Sequence, residues 1–116
     1  MSTDPIAELQ EIVDLLASFD GPAAIRRADE LDGVIERVTS CAAELADVTE
    51  PDDLQQRFAF AVRALSGARK AARAHRRNPL TRPLSQMRFA ANVGGAGGWL
   101  QGALERLQPA DESTSR

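Results

Sequence analysis

The chain has 116 residues, 27% of them charged and only 4% aromatic, with a formal net charge of −3. That length suits one domain with a modest core, and twenty alanines with few β-branched or aromatic residues argue against a sheet protein. The net charge hides a split: residues 1–53 carry fourteen acids and three arginines, whereas residues 54–104 carry nine Lys/Arg and no acid.

A first helix is expected over about residues 4–19. Thr3 or Asp4 can cap it, and Pro5 suits the first turn, where its missing N–H is no loss. Ile6, Leu9, Ile12, Val13, Leu16 and Phe19 share one face. Asp20-Gly21-Pro22 then ends it. Pro22 opens a second helix, expected to run to about Val48. Its apolar positions Ala24, Ala28, Leu31, Ile35, Val38, Ala42 and Leu45 alternate spacings of four and three, a heptad seam widened by Val34, Cys41 and Val48.

Thr49-Glu50-Pro51-Asp52 has the pattern of a new helix start, with Thr49 as cap and Asp52 completing a capping-box-like arrangement. The third helix is expected to run to about Arg77 and stop before Asn78-Pro79, with acids at its start and arginines at its end, as the helix dipole favours. It carries two apolar stripes. One is Leu54, Phe58, Ala61, Leu65, Ala68 and Ala72. The other, nearly opposite, is Phe60, Ala64, Gly67, Ala71 and Ala74. A helix apolar on two sides is commonly buried on two sides, which would place this one at the bundle centre or at a subunit interface; in the alternative, alanine is only a neutral filler on a solvated second side.

Thr81 can cap a fourth helix, with Pro83 in its first turn and Leu84, Met87 and Ala91 at helical spacing. Gly94-Gly95-Ala96-Gly97-Gly98 follows. By propensity it is a loop between two short helices. In the alternative, the helix runs through and Gly94, Gly98 and Gly102 form a small-residue groove for another backbone. Leu100, Ala103, Leu104 and Leu107 resume an amphipathic pattern that Pro109 ends. The whole is expected to be an all-α antiparallel bundle of about four helices. It is built on a long hairpin of the second and third helices, forming one domain over residues 1–109 with a polar, flexible tail over 110–116.

No catalytic constellation can be assembled. His75, the only histidine, sits among Arg73, Arg76 and Arg77 and has no second metal ligand at helical spacing. Cys41, the only cysteine, excludes an internal disulfide and lies on an apolar face that disfavours a thiolate. The acids of the second helix are expected to pair along it, Arg26 with Glu30 and Asp29 with Arg37. The glycine run lacks the Lys-Ser/Thr of a phosphate-binding loop, so no cofactor and no metal are expected.

Two features remain. Arg69, Lys70, Arg73, Arg76, Arg77, Arg82 and Arg88 fall within 20 residues. They can match the acidic helices, bind nucleic acid through phosphates without reading sequence, or meet an acidic protein. The small and aromatic residues Phe60, Ala64, Gly67, Ala71, Gly94, Gly98, Trp99 and Gly102 form a candidate assembly interface. The expectation is a non-enzymatic, self-associating interaction module with nucleic-acid binding as the alternative. No signal-peptide pattern and no apolar stretch of spanning length appear, so a cytoplasmic protein without a membrane partner is expected.

Overall fold

In a computed structural model, which describes residues 4–48 and 53–107, the chain is a four-helix bundle. The helices are α1 (Pro5–Ala17), α2 (Glu30–Glu44), α3 (Leu54–Arg77) and α4 (Arg82–Leu107). Short 3₁₀ segments, Pro22–Arg27 and Pro79–Thr81, precede α2 and α4. Each helix packs on its two neighbours in the ring α1–α2–α3–α4.

Asp4 starts α1 by accepting a hydrogen bond from Ile6 N at 3.1 Å. Leu9, Ile12 and Leu16 are buried, and the helix ends two residues before Phe19. Gly21 takes φ +81° and ψ 172°, a conformation in which a Cβ is strained. Phe19, outside the helix, still reaches the core edge. Its ring stands 6.4 Å from that of Phe89, and the Arg27 guanidinium lies 4.2 Å from its centre.

The expected single helix from Pro22 to Val48 is divided. After Pro22 the chain winds as 3₁₀, with Ala24 N donating to Gly21 O and Ala28 N to Ile25 O. At three residues per turn, Ile25, Ala28 and Leu31 stack on one side. Ile25 thereby enters the core, and the buried seam becomes Ile25, Ala28, Leu31, Val34, Val38, Cys41 and Leu45. Ile35 and Ala42, placed on the seam by a straight heptad, sit at its edge. The long helix expected to pair with α3 is thus a 15-residue helix.

The long hairpin is instead α3 with α4, which share the largest contact of any two elements. Asn78 precedes Pro79, whose ring disfavours the helical region for the residue before it; Asn78 is extended and α3 stops. Asn78 Oδ1 accepts from Leu80 N at 3.1 Å. Asn78 thus caps the short 3₁₀ segment, and Thr81, expected to cap the fourth helix, ends that segment with its Oγ1 donating to the Asn78 carbonyl at 3.2 Å. Four cross-pairs set the register. Asp53 faces Arg106 across 3.4 Å. Arg57 lies over Gly102, Phe60 stacks on Trp99 at 4.8 Å, and Gly67 receives Asn92. In every pair the two residues are equally far along the chain from the Pro79–Leu80 bond.

The glycine run is helical, not a loop. The seam Phe89, Val93, Ala96, Leu100, Ala103 and Leu104 is buried on both sides of it, and this continuous packing overrides the low helix propensity of glycine. The seam is not the expected one: Leu84, Met87 and Ala91 face solvent, and Ser85, Phe89 and Val93 face the core. Thr3, the capping arrangement of Thr49, Pro51 and Asp52, the stop at Pro109 and the tail over 110–116 lie outside the described residues.

Two glycines should respond oppositely to alanine. Gly97 is helical and a Cβ there meets open space, so Gly97→Ala should raise the unfolding free energy by up to about 1 kcal/mol. Gly21→Ala should lower it by about 1–3 kcal/mol. Denaturant titration at one protein concentration checks both. A loss of stability in Gly97→Ala would contradict the continuous α4.

Candidate functional site

The basic residues lie along the C-terminal half of α3, across the turn and into α4. Only part of this surface meets acids. Arg69 is drawn against α2: Nε donates to Asp32 Oδ1 at 2.9 Å and Nη1 to Asp29 Oδ1 at 3.2 Å, leaving its side chain 13% exposed. Arg76 is 3.6 Å from the same Asp29 oxygen. Arg82 donates from Nε to the His75 carbonyl at 3.1 Å, holding its side chain over the end of α3. Among the described residues, Lys70, Arg73, Arg77 and Arg88 form no ion pair and are exposed. Lys70, Arg73 and Arg77 border a shallow notch with Asn78 and Thr81 and no acid. Charge matching between the acidic and basic halves therefore reaches Arg69 fully and Arg76 at its margin, while Arg73 and Arg77 line a cavity with Asp29 without pairing to it.

The acids of the first half pair elsewhere. The Arg27 guanidinium bridges Glu30 at 2.9 and 3.0 Å, and Arg37 reaches across to Glu8 and, at 2.8 Å, Glu11 of α1. The expected pairs Arg26–Glu30 and Asp29–Arg37 are not formed, because the 3₁₀ start rotates α2 and hands these side chains to neighbouring elements. The Arg37 hydrogen bond holds the Glu8 carboxyl below its ordinary value of 4.5.

Cys41 lies on the buried seam of α2, with its sulfur 3.9 Å from the Pro5 carbonyl. Burial, reinforced by Glu8 and Glu44, pushes its thiol up to about 11. A thiol of that acidity is protonated at neutral pH and is a poor nucleophile. His75 is half-buried beside Arg26, Asp29 and Arg76. Among the described residues, no three His, Cys, Asp or Glu side chains gather as metal ligands, and no helix is long and apolar enough to cross a membrane.

The candidate assembly residues divide into a covered and an open set. The second stripe of α3 is the seam for α4. Phe60 stacks on Trp99, Gly67 is filled by the Asn92 amide at 2.8 Å from where a Cβ would stand, Ala64 is half-buried and Ala71 is buried. From Phe60 to Ala71 the hairpin already uses that stripe, and only Ala74 at its end is exposed. The groove expected over Gly94, Gly98 and Gly102 is also shortened. At Gly102 the Arg57 guanidinium occupies the space, whereas at Gly94 and Gly98 the space is empty. Trp99 is 37% exposed, its indole held between Phe60 and the Arg57 guanidinium at 5.5 Å.

Sequence reading missed one grouping. Apart from Trp99, the large exposed apolar residues of the described chain are Leu80, Leu84 and Met87, at 90%, 47% and 69% exposure. All three lie at the turn end of the hairpin, among the unpaired basic residues. The spacing that puts Phe89 and Val93 inside could have revealed Leu84 and Met87 as outward-facing.

Compared with known proteins, the chain matches no family model, no curated protein and no solved structure.

Two outcomes follow from this geometry. Arg69→Ala should lower stability by about 1 kcal/mol through its lost ion pairs and packed stem, whereas Arg73→Ala and Arg77→Ala should stay within about 0.5 kcal/mol of the parent. Equal losses at all three positions, measured by denaturant unfolding, would contradict the division between matched and open arginines. Cys41 should react with iodoacetamide at neutral pH far more slowly in the folded chain than in urea. Comparable rates would show that the thiol is not buried.

Proposed function

We propose that the protein is a non-enzymatic helical assembly module that associates with a second copy of itself through the outward face of α4. The observation supporting this reading is a long helix with almost no polar side. Opposite its buried seam, α4 presents Ala91, Gly94, Gly95 and Gly98 to solvent, and no charged residue lies between Arg88 and Glu105. A solvated helix face ordinarily carries charge. Each of these glycines weakens the helix by about 1 kcal/mol against alanine, yet a Cβ at Gly94, Gly95 or Gly98 would meet nothing within 4 Å. None of the described residues fills the space of the missing side chains. A close-approaching helix backbone from a second copy does, and the half-exposed Trp99 at the border of this face offers an anchor of the kind that dominates interface energies. This reading keeps the self-association expected from the sequence and, of the two surfaces expected for it, retains the Gly94–Gly98 part of the α4 groove and drops the α3 stripe. It also keeps the expected cytoplasmic setting.

Sequence-nonspecific nucleic-acid binding through residues 69–88 is the second reading. It is supported by the acid-free notch of Lys70, Arg73 and Arg77.

Light scattering across protein concentrations tests the assembly reading. The parent should associate reversibly. Gly98→Gln, which favours helix but blocks close approach, should raise the association midpoint by at least about tenfold. A parent that stays monomeric at every concentration ends the proposal, as does unchanged association in a folded Gly98→Gln variant.

A further inference from the structure

The turn end of the α3–α4 hairpin combines two properties that rarely coincide on a surface without use. The first is unpaired positive charge: Arg77 and Arg88 form no ion pair among the described residues, and Arg82 is held over the end of α3 by its bond to the His75 carbonyl. The second is protruding aliphatic surface. Leu80 sits on the turn itself, nine-tenths exposed, and Leu84 and Met87 continue from it at spacings of four and three. The site lies at an end of a hairpin whose helices have 24 and 26 residues.

These properties separate the possible anionic partners. A nucleic-acid backbone rewards charge alone, and bases stack on exposed aromatic rings. The nearest aromatic, Phe89, is buried. Protruding leucine and methionine flanked by arginine instead fit the boundary of an anionic bilayer, where acyl chains take the aliphatic groups and lipid phosphates take the guanidinium groups. No span is required, only attachment at the surface.

We infer that the α3–α4 turn docks on an anionic lipid surface, with Leu80, Leu84 and Met87 entering the headgroup boundary and Arg77, Arg82 and Arg88 facing lipid phosphates. This departs from the sequence expectation that no membrane is involved, which rests on the lack of an apolar stretch of spanning length and takes no account of the exposed Leu80, Leu84 and Met87. Leu84 and Met87 continue the outward face of α4 that carries Ala91, Gly94 and Gly98, but they lie at its turn end, and docking there does not depend on self-association.

The test is co-sedimentation of the full chain with vesicles of phosphatidylglycerol mixed with phosphatidylcholine, and with vesicles of phosphatidylcholine alone, at low and high salt. Binding is expected to the anionic vesicles only, and to weaken with salt. Each Arg→Gln change at positions 77, 82 and 88 should reduce it by about fivefold. The pair Leu80→Ser and Leu84→Ser, both at exposed positions, should reduce it by at least about tenfold. Gly98→Gln, aimed at self-association, should leave vesicle binding in place. Absence of sedimentation with anionic vesicles at low salt overturns the inference. So does binding that the serine pair leaves unchanged; equal retention of the serine variant and the parent on duplex DNA would then identify a polyanion site instead.

Discussion

The antiparallel register of α3 and α4 is the constraint on which the rest of the molecule depends. It is set by the turn at Asn78–Pro79 and held by cross-pairs placed symmetrically about it, from Gly67 with Asn92 out to Asp53 with Arg106. Once this register is fixed, Phe60 must meet Trp99 and the second apolar stripe of α3 is closed. The glycine-rich part of α4 must also stay helical, because Phe89 and Val93 before it and Leu100 and Leu104 after it belong to one buried seam. A break there would strip one half of the seam from its partners.

The same register decides the fate of the charge. At the N-terminal end of the acidic helix α2, Asp29 and Asp32 pair with Arg69, and Asp29 also meets Arg76. Lys70, Arg73 and Arg77 are left without an ion pair among the described residues, although Arg73 and Arg77 share a cavity with Asp29. The opposite charges of the two halves thus serve the fold at one place and leave a cationic end at another. Isolated surface pairs contribute little to stability. Their clearer consequence here is to mark which arginines are committed and which remain available to a ligand.

Much of this was legible in the sequence. The helical class, the position of α1, the end of α3 at Asn78 and the burial of Leu54, Phe58, Ala61, Leu65, Ala68 and Ala72 follow from periodicity and punctuation alone. The second apolar stripe of α3 correctly indicated a helix covered on two sides, although the covering element is α4 rather than another chain. The heptad through Ile35 and Ala42 failed because a 3₁₀ start rotates α2. The glycine loop failed because propensity is a local quantity and packing along the seam is not. The outward placement of Leu84 and Met87 was missed because Leu84, Met87 and Ala91 form a valid helical stripe on paper, as do Ser85, Phe89 and Val93.

By itself, then, the sequence determined the helical class, the start of α1, the end of α3 and the separation of charge, since these depend on neighbours within a few turns of the chain. It could not determine which helix pairs with α3, whether the glycines are folded over or left bare, or which arginines are neutralised. Those depend on contacts between residues far apart in the chain, and only the tertiary structure brings them together. That distinction leaves the bare glycine face of α4 and the cationic, aliphatic turn as the two surfaces through which the protein can act.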